Sequence, residues 1–475
     1  MFLTLSPSKQ IYFFQDFYPR LGEQHPRLYL QETKPELQLR PLIPSELCVK
    51  FSGPEFSRVK RHMTSERTVE LSVPSKPCSI SPLGEGKDDS DRAVEECGNG
   101  GHIILEAGNF NITKKMYWNL TDAQVDLFGT LNFVPDIDYW LDANNTYRVV
   151  FIQSQASWFV VSGSNFVIDA HWVGGINGNG QTWWETFTTR PREDGDGRPL
   201  ALTIFQAYHA VVRNFKIISQ PFWCNAVANS FDVVYDGMLC NATNTNPEFF
   251  GQNIVPNTDG IDTYRSDNIK LLNWDITCGD DCLAVKGNTS NLLAQNYTCR
   301  GGNGIAFGSL GQYVGLDDIV QNVVLQDLHN IRLNSSIQPN MNHGVYFKSW
   351  TGTVNGVPPT GGGGAGGFVK NVTVKNFVLN QVSTPISLYQ TNGGHSGDTP
   401  SFLQFSDLHF ENFMGTATSG KLVDIECSSN AHCENITFEE FDVSPPSGDS
   451  VSLVCVNVDS ESGLSAPCNA TGKAN

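Results

Sequence analysis

From about residue 100 onward, apolar residues recur in short alternating runs, and many of these runs open on asparagine: those beginning at Asn165, Asn214, Asn268, Asn322, Asn371 and Asn435. Alternation with a period of two predicts strands with one apolar face. The runs recur at spacings of roughly 20 to 30 residues, and each is followed by a polar turn. That is the pattern of a solenoid whose coils each contribute several short strands, stacked in parallel. Asparagine suits such a stack because its amide can hydrogen-bond along it and its backbone tolerates the left-handed conformation at a turn. An antiparallel sandwich would show a hairpin turn every 8 to 12 residues or so, and few two-residue Asn-Gly hairpins lie between matched strands. The expected fold is all-β, a single-stranded parallel β-helix.

Two segments break the pattern. Residues 1–75 are Pro-rich, mixed in charge and without periodicity. They are expected to form a poorly ordered extension on a body, 76–475, that begins near Cys78, with a short helix from Arg92 to Cys97. Thr351 to Gly367 carries Gly at five of the six positions 361–366. It is expected to be a flexible loop, because the asparagine-led pattern resumes at Asn371.

Composition narrows the function. The chain has 475 residues, of which 17% are charged and 44 are Gly, a turn-rich and strand-rich balance. A net charge of −18 excludes a nucleic-acid partner, which calls for basic patches. No apolar stretch is long enough to span a membrane. The 12 cysteines favour disulfides over zinc, since Cys278 and Cys282 have no second matching pair with histidines. Proximity favours Cys427 with Cys433, and Cys78 and Cys97 bracket a Gly/Asp-rich stretch. Ten Asn-x-Ser/Thr sequons, at Asn111, Asn119, Asn144, Asn241, Asn288, Asn296, Asn334, Asn371, Asn435 and Asn469, add to a secretory reading. Met1 to Leu30 conflicts with it, lacking a basic segment followed by a long apolar run; the expected reconciliation is that Met1 is not the natural start. A monomer is expected, because the coils are capped within one chain.

The candidate chemistry lies in three carboxylates within 23 residues, in Asn257-Thr258-Asp259-Gly260 and Gly279-Asp280-Asp281-Cys282. Asp259 and Asp280 are 21 residues apart, and a similar interval leads to Gly301-Gly302-Asn303-Gly304. If one coil takes about that many residues, the three clusters stack on one face. Hydrolysis of a glycosidic bond needs such a group: one carboxylic acid protonates the leaving oxygen and another carboxylate activates water. Three crowded carboxyls also raise one another's pKa, so one can stay protonated at mildly acidic pH. Solenoid turns often carry Asp and Asn for turn chemistry alone. Two other readings remain open at this point: a polysaccharide lyase holding Ca²⁺ on the acidic residues, and a non-catalytic carbohydrate-binding solenoid.

These motifs resemble the polygalacturonase family of pectin-degrading glycoside hydrolases, over roughly residues 76 to 460. Gly175 to Trp184 resembles that family's early glycine-rich coil, and Gly308-Ser309-Leu310-Gly311-Gln312-Tyr313 the segment after its active-site histidine. The resemblance implies a right-handed parallel β-helix, a pectic substrate, and inversion with water as the nucleophile and no metal or other cofactor. It implies Asp280 as the general acid, Asp259 and Asp281 as the pair that activates water, and Asn257 as a substrate contact. Cys282 is expected in a disulfide, with Cys299 as a candidate partner. The block from Gly308 to Val323 looks most like the exo-acting members, which close one end of the cleft with insertions; candidates are Thr243–Val255 and Thr351–Gly367. Release of terminal galacturonic acid by a secreted enzyme is therefore expected, with rhamnogalacturonan or xylogalacturonan hydrolysis, or an impaired pectin-binding homologue, as alternatives.

Two positions depart from the family. Asn303 stands where a histidine is usual, and it cannot titrate. Tyr346-Phe347-Lys348 stands where Arg-Ile-Lys is usual, so Tyr346 replaces an arginine whose planar fork grips a carboxylate. Lys348 is then the expected substrate contact, weakened by the loss. Arg300 and His343 could assist, and Tyr389 and Gln390 could reach the sugar from later coils.

Overall fold

The structure is a computed structural model and describes residues 77–90, 92, 97–150, 152–191, 195–466 and 468. The extension expected at 1–75 and most of the helix expected at 92–97 lie outside the described residues.

The chain winds in coils. From Leu202 onward, each coil contributes one short strand to a sheet we call the floor and one longer strand to the rest of the wall. The floor strands are Leu202–Phe205 (the start of a longer strand), Asn225–Ala228, Ile261–Tyr264, Asp281–Val285, Gly304–Leu310, His343–Trp350, Thr384–Asn392, Lys421–Glu426 and Ser452–Val456. Each pairs in parallel with its neighbours in the coils before and after. The longer strands do the same. This is a parallel β-helix, as the alternation predicts.

Alternation within a floor strand sorts side chains to two faces. Ile261, Leu283, Ile305, Val345, Ile386, Val423 and Leu453 occupy one register line and point inward, buried. Val285, Phe307, Phe347, Leu388 and Ile425 form a second line, in which the Phe307 and Phe347 rings stack at 4.5 Å. Burying each such side chain contributes about 1.5–3 kcal/mol, so truncating Phe347 to Ala would cost about 3–5 kcal/mol. The alternate positions face outward and form the floor of a cleft: Asp262, Ala284, Ala306, Tyr346, Ser387 and Asp424 in one line, and Lys348, Tyr389 and Glu426 in the next.

Both expected uses of asparagine occur. Asn165, Asn214, Asn268, Asn322, Asn371 and Asn435 all adopt left-handed φ, between 53° and 57°. Amides also form ladders across coils: Asn291 donates to Asp267 at 2.6 Å, Asn322 to Asn291 at 2.9 Å, and Asn371 to Asn322 at 2.7 Å. A second set runs from Asn273 to Asp236 and from Asn296 to Asn273, a third from Asn376 to Asp327 and from Asn412 to Asn376.

Three expectations change. The floor register gives 22 residues per coil at the aspartates but 40 from Ile305 to Val345, because insertions lengthen the later coils. Thr351–Gly367 is tied down rather than loose. Gln312 donates to the carbonyls of Pro359 and Gly361, both at 2.9 Å, and accepts from the Gly363 N–H. Among the cysteines, Cys282–Cys299, Cys427–Cys433 and Cys78–Cys97 are bonded, with Cys224–Cys240 and Cys455–Cys468 in addition. Cys278, however, is a buried free thiol. Among the described residues, no helix is long and apolar enough to cross a membrane.

Candidate active site

Each aspartate of interest sits where a coil turns into a floor strand. Asp259 lies two residues before Ile261–Tyr264, Asp281 opens Asp281–Val285, and Asn303 immediately precedes Gly304–Leu310. Backbone bonds hold the three turns in step: Gly260 donates to the Asp281 carbonyl at 2.9 Å and Asn303 to the Asp280 carbonyl at 2.7 Å. The result is that one oxygen each of Asp259, Asp280 and Asp281 lie within 4.8 Å of one another.

The three carboxylates have different surroundings. Asp280 accepts N–H groups on both oxygens. The Asn257 backbone N–H at 3.0 Å and its Nδ2 at 3.3 Å meet Oδ2, and Asn303 Nδ2 at 2.7 Å meets Oδ1. Asn342 Nδ2 in turn donates to Asn303 Oδ1 at 2.7 Å, which fixes the way that amide points. Asp281 accepts from the Tyr346 hydroxyl and from Lys348 Nζ at 3.1 Å. Burial works against the charge on Lys348, but Asp281, Tyr346, Tyr389 and Asp280 together outweigh it and raise the ammonium well above its usual range. Asp259 is 4% exposed, and its Oδ1 has no hydrogen-bond partner among the described residues. Burial, and then the charges of Asp262, Asp280 and Asp281, push its carboxyl well above the ordinary value.

Sequence reasoning brought Asp259, Asp280, Asp281, Asn303, Asn257 and Lys348 to one place, and the structure joins them. The other candidates have contacts of their own. Tyr346 is 3% exposed, and its hydroxyl is committed to Asp281. Asn257 turns its amide to Asp280, not outward. Arg300 does not join the cluster; its guanidinium makes two bonds, 2.8 and 3.1 Å, to Asp275. His343 stacks on the Tyr346 ring at 4.4 Å, where burial lowers its pKa to about 4. Tyr389 stacks beyond it, 6.5 Å from Tyr346. Gln390 is 2% exposed and bonded to Ser349, Leu403 and Ser428.

Two charged residues near the trio went unnoticed in the sequence. Asp262 and Lys286 form a buried pair, 3.1 Å apart, on the outward face of the floor. Burial raises Asp262 to about 7 against the pull of the lysine. Counting alternate positions from Ala284 would have placed Lys286 on that face.

The floor on the early side of the aspartates is covered. Val150, Ile152, Leu200, Phe222 and Trp223 pack on Ala226, Ala228 and Tyr264, with Tyr313 against them. The Gln153 N–H donates to the Tyr313 hydroxyl, so the segment before one floor strand meets the segment after another. On the late side, a cavity of about 520 Å³ is lined by Gln390, His395, Asp398, Glu426 and Ser428, and Glu426 shares a register line with Lys348 and Tyr389.

Oxygens within 4.8 Å of one another can share one water at hydrogen-bond distance, and the same three could ligate a hard cation. Residues 114–466 match the model of glycosyl hydrolases family 28. The chain is 40% identical to a putative galacturan 1,4-alpha-galacturonidase A of Aspergillus niger, over 82% of this chain and 93% of that protein. It is 34% identical to an exopolygalacturonase of Cochliobolus carbonum, over 84% and 86%. In structure it is similar to the endo-xylogalacturonan hydrolase of Aspergillus tubingensis, with a TM-score of 0.69 at 22% identity, covering 83% of this chain and all of that one. The chain belongs to the glycosyl hydrolases of family 28.

Proposed function

We propose that the protein removes single galacturonic acid residues from the ends of 1,4-alpha-galacturonan by inverting hydrolysis. The names of its relatives support the reaction, and the covered early floor carries the exo-acting part: a chain that cannot run past the aspartates in that direction presents its end there. Five disulfides support a secreted enzyme.

In this reading Asp280 protonates the leaving oxygen, while Asp259 and Asp281 hold and deprotonate the water. The proton that starts the reaction belongs to the trio as a unit, retained because three carboxyls in a buried site cannot all ionise at mildly acidic pH. Asn303 and Asn257 aim Asp280 at the leaving oxygen. Lys348 and the Tyr346 hydroxyl hold Asp281 in place. Burial keeps His343, the histidine stacked on Tyr346, neutral above about pH 4; the pH–rate profile then follows the carboxyls. The oxygens sit closer than the roughly 6.5–9.5 Å usual between the carboxyls of inverting pairs, so the stereochemistry is a test in itself.

The experiment is product analysis by anion-exchange chromatography at pH 4–5 on polygalacturonate, xylogalacturonan and rhamnogalacturonan, with proton NMR of the first product. Galacturonic acid alone from polygalacturonate, released as the β-anomer and indifferent to chelator, is expected. Mixed oligomers from the start, activity confined to a branched or rhamnose-containing chain, or an unsaturated product lost with chelator would each overturn the reading.

A further inference from the structure

We propose that Arg198 is a positioning residue for the reaction, setting which end of the Asn257 amide faces Asp280. The inference rests on the reading of Asp280 as an essential carboxyl of the trio.

Arg198 lies 59 residues before Asn257 in sequence, in the loop after the helix Gly180–Thr186. Its side chain is 1% exposed. The guanidinium lies over two phenyl rings, those of Phe187 and Phe222, at 5.0 and 4.7 Å. Nε donates to Asp196 Oδ2 at 2.8 Å, and the Asp196 carboxylate also accepts the Arg198 backbone N–H. Aromatic faces and a carboxylate thus hold the plane of the guanidinium. The two remaining nitrogens point at one segment: Nη1 donates to the Pro256 carbonyl at 3.2 Å and Nη2 to Asn257 Oδ1 at 2.9 Å.

An asparagine amide has an acceptor end and a donor end. With Oδ1 on the guanidinium, Nδ2 is the end that meets Asp280 Oδ2. Turning the amide over would set its NH₂ against the guanidinium and its oxygen against the carboxylate, two repulsive contacts in place of two attractive ones. The bond to Pro256 holds the backbone as well. Asn257 sits at φ 57°, and in that conformation its own N–H also reaches Asp280 Oδ2. Arg198 therefore governs both N–H groups on that oxygen. Asn342 does the same for Asn303 on the other oxygen, so each oxygen of Asp280 is met by an amide whose own oxygen is held by an outer donor. A purely structural arginine would need only the rings and Asp196.

The test uses the full-length protein on digalacturonate across pH, with a thermal midpoint for every variant. Arg198→Lys keeps the charge but cannot serve Asp196, Pro256 and Asn257 from one plane. It is expected to lower kcat about 10- to 100-fold with KM within about twofold. It should also move the limb on which the trio loses its proton to higher pH, because fewer N–H groups then favour the charged form. In an Asn257→Ala background the same change should add less than about twofold, the non-additivity of residues acting through one another. Asn257→Asp, which keeps a partner for Arg198 but faces Asp280 with an acceptor, should reproduce the loss, and it supplies the test should Arg198→Lys not fold. An active wild type with an unchanged kcat and pH profile in Arg198→Lys, additive losses in the cycle, or a fully active Asn257→Asp overturns the inference alone. A wild type that hydrolyses none of the pectic substrates overturns the functional reading together with it.

Discussion

The two ends of the floor are built from the same repeat and differ in almost everything else. On the early side, the outward face of Ala226, Ala228 and Tyr264 is roofed by Val150, Ile152, Leu200, Phe222 and Trp223, and the charges there, Arg198 and Lys286, are buried and paired. On the late side, the floor carries Lys348, Tyr389 and Glu426 in one register line, and Glu426 lines a cavity of about 520 Å³. The strands do not account for the contrast, since both ends stack in the same parallel register. The segments between strands do: the stretch around Gln153 and the loop carrying Tyr313 meet over one end, and among the described residues no such contact is seen over the other. A stack of coils is an open trough, and its insertions are what give the trough a closed end.

The largest effect should come from removing the chemistry at the point where the two ends meet. Asp280→Asn should lower kcat by about 1,000-fold or more while leaving the thermal midpoint within a few degrees; substantial residual turnover on digalacturonate would displace Asp280 from the acid role. Next in size is opening the roof. Tyr313→Ala removes the contact with Gln153, and monomer release should fall about 10-fold while dimers and trimers appear on the chromatogram; an unchanged product pattern would show that the roof does not set the exo mode.

A third variant reads the burial of the site. Asp259 has a raised pKa in the folded protein, from burial first and from its carboxylate neighbours second. The associated stability is fully present below the ordinary carboxylate value of 3.8 and is lost as pH rises through the raised one. Asp259→Asn removes that loss. Its thermal midpoint should match wild type near pH 4 and exceed it by about 2–4 °C near pH 7, measured by differential scanning calorimetry, and parallel curves would contradict the buried, proton-retaining trio. The smallest effect belongs to the open end. Glu426→Gln removes a negative charge from the path of a polyanionic chain and should raise kcat/KM for trigalacturonate about twofold at low salt, with no change for digalacturonate; equal effects on both would place the substrate elsewhere.

Much of this was legible in the chain because it depends on coil spacing. The trio could be read because Asp259 and Asp281 sit at the same point of successive 22-residue coils, and the asparagines because their role is local conformation plus one contact to the next coil. The pairs Cys282–Cys299 and Cys427–Cys433 were near in sequence and proved near in space. What escaped depends on side-chain direction or on distant loops. Arg300 is three residues from Asn303, yet its guanidinium turns to Asp275 on the adjacent longer strand. Tyr346 occupies the arginine position but bonds Asp281, a contact 65 residues back that no spacing announces. Arg198 reaches Asn257 through a loop outside the repeat, and periodicity says nothing about such loops.

The asparagine ladders have a direction. Every rung donates from a later coil to an earlier one, and each of the three begins on an aspartate: Asp267, Asp236 and Asp327. A carboxylate can only accept, so it can start a column but cannot continue one. Asn296, whose register neighbour in the next coil is Asp327, ends one column where that aspartate begins another. Duplicating a coil in the middle of a column adds one more donor and one more acceptor and leaves every rung satisfied. Duplicating the coil that heads it sets one carboxylate against another, two acceptor-only groups, and breaks the line. Lineages that lengthen or shorten this helix should therefore gain and lose coils between the aspartates and keep the aspartates as boundaries, a record of past rearrangement that can be read without any structure.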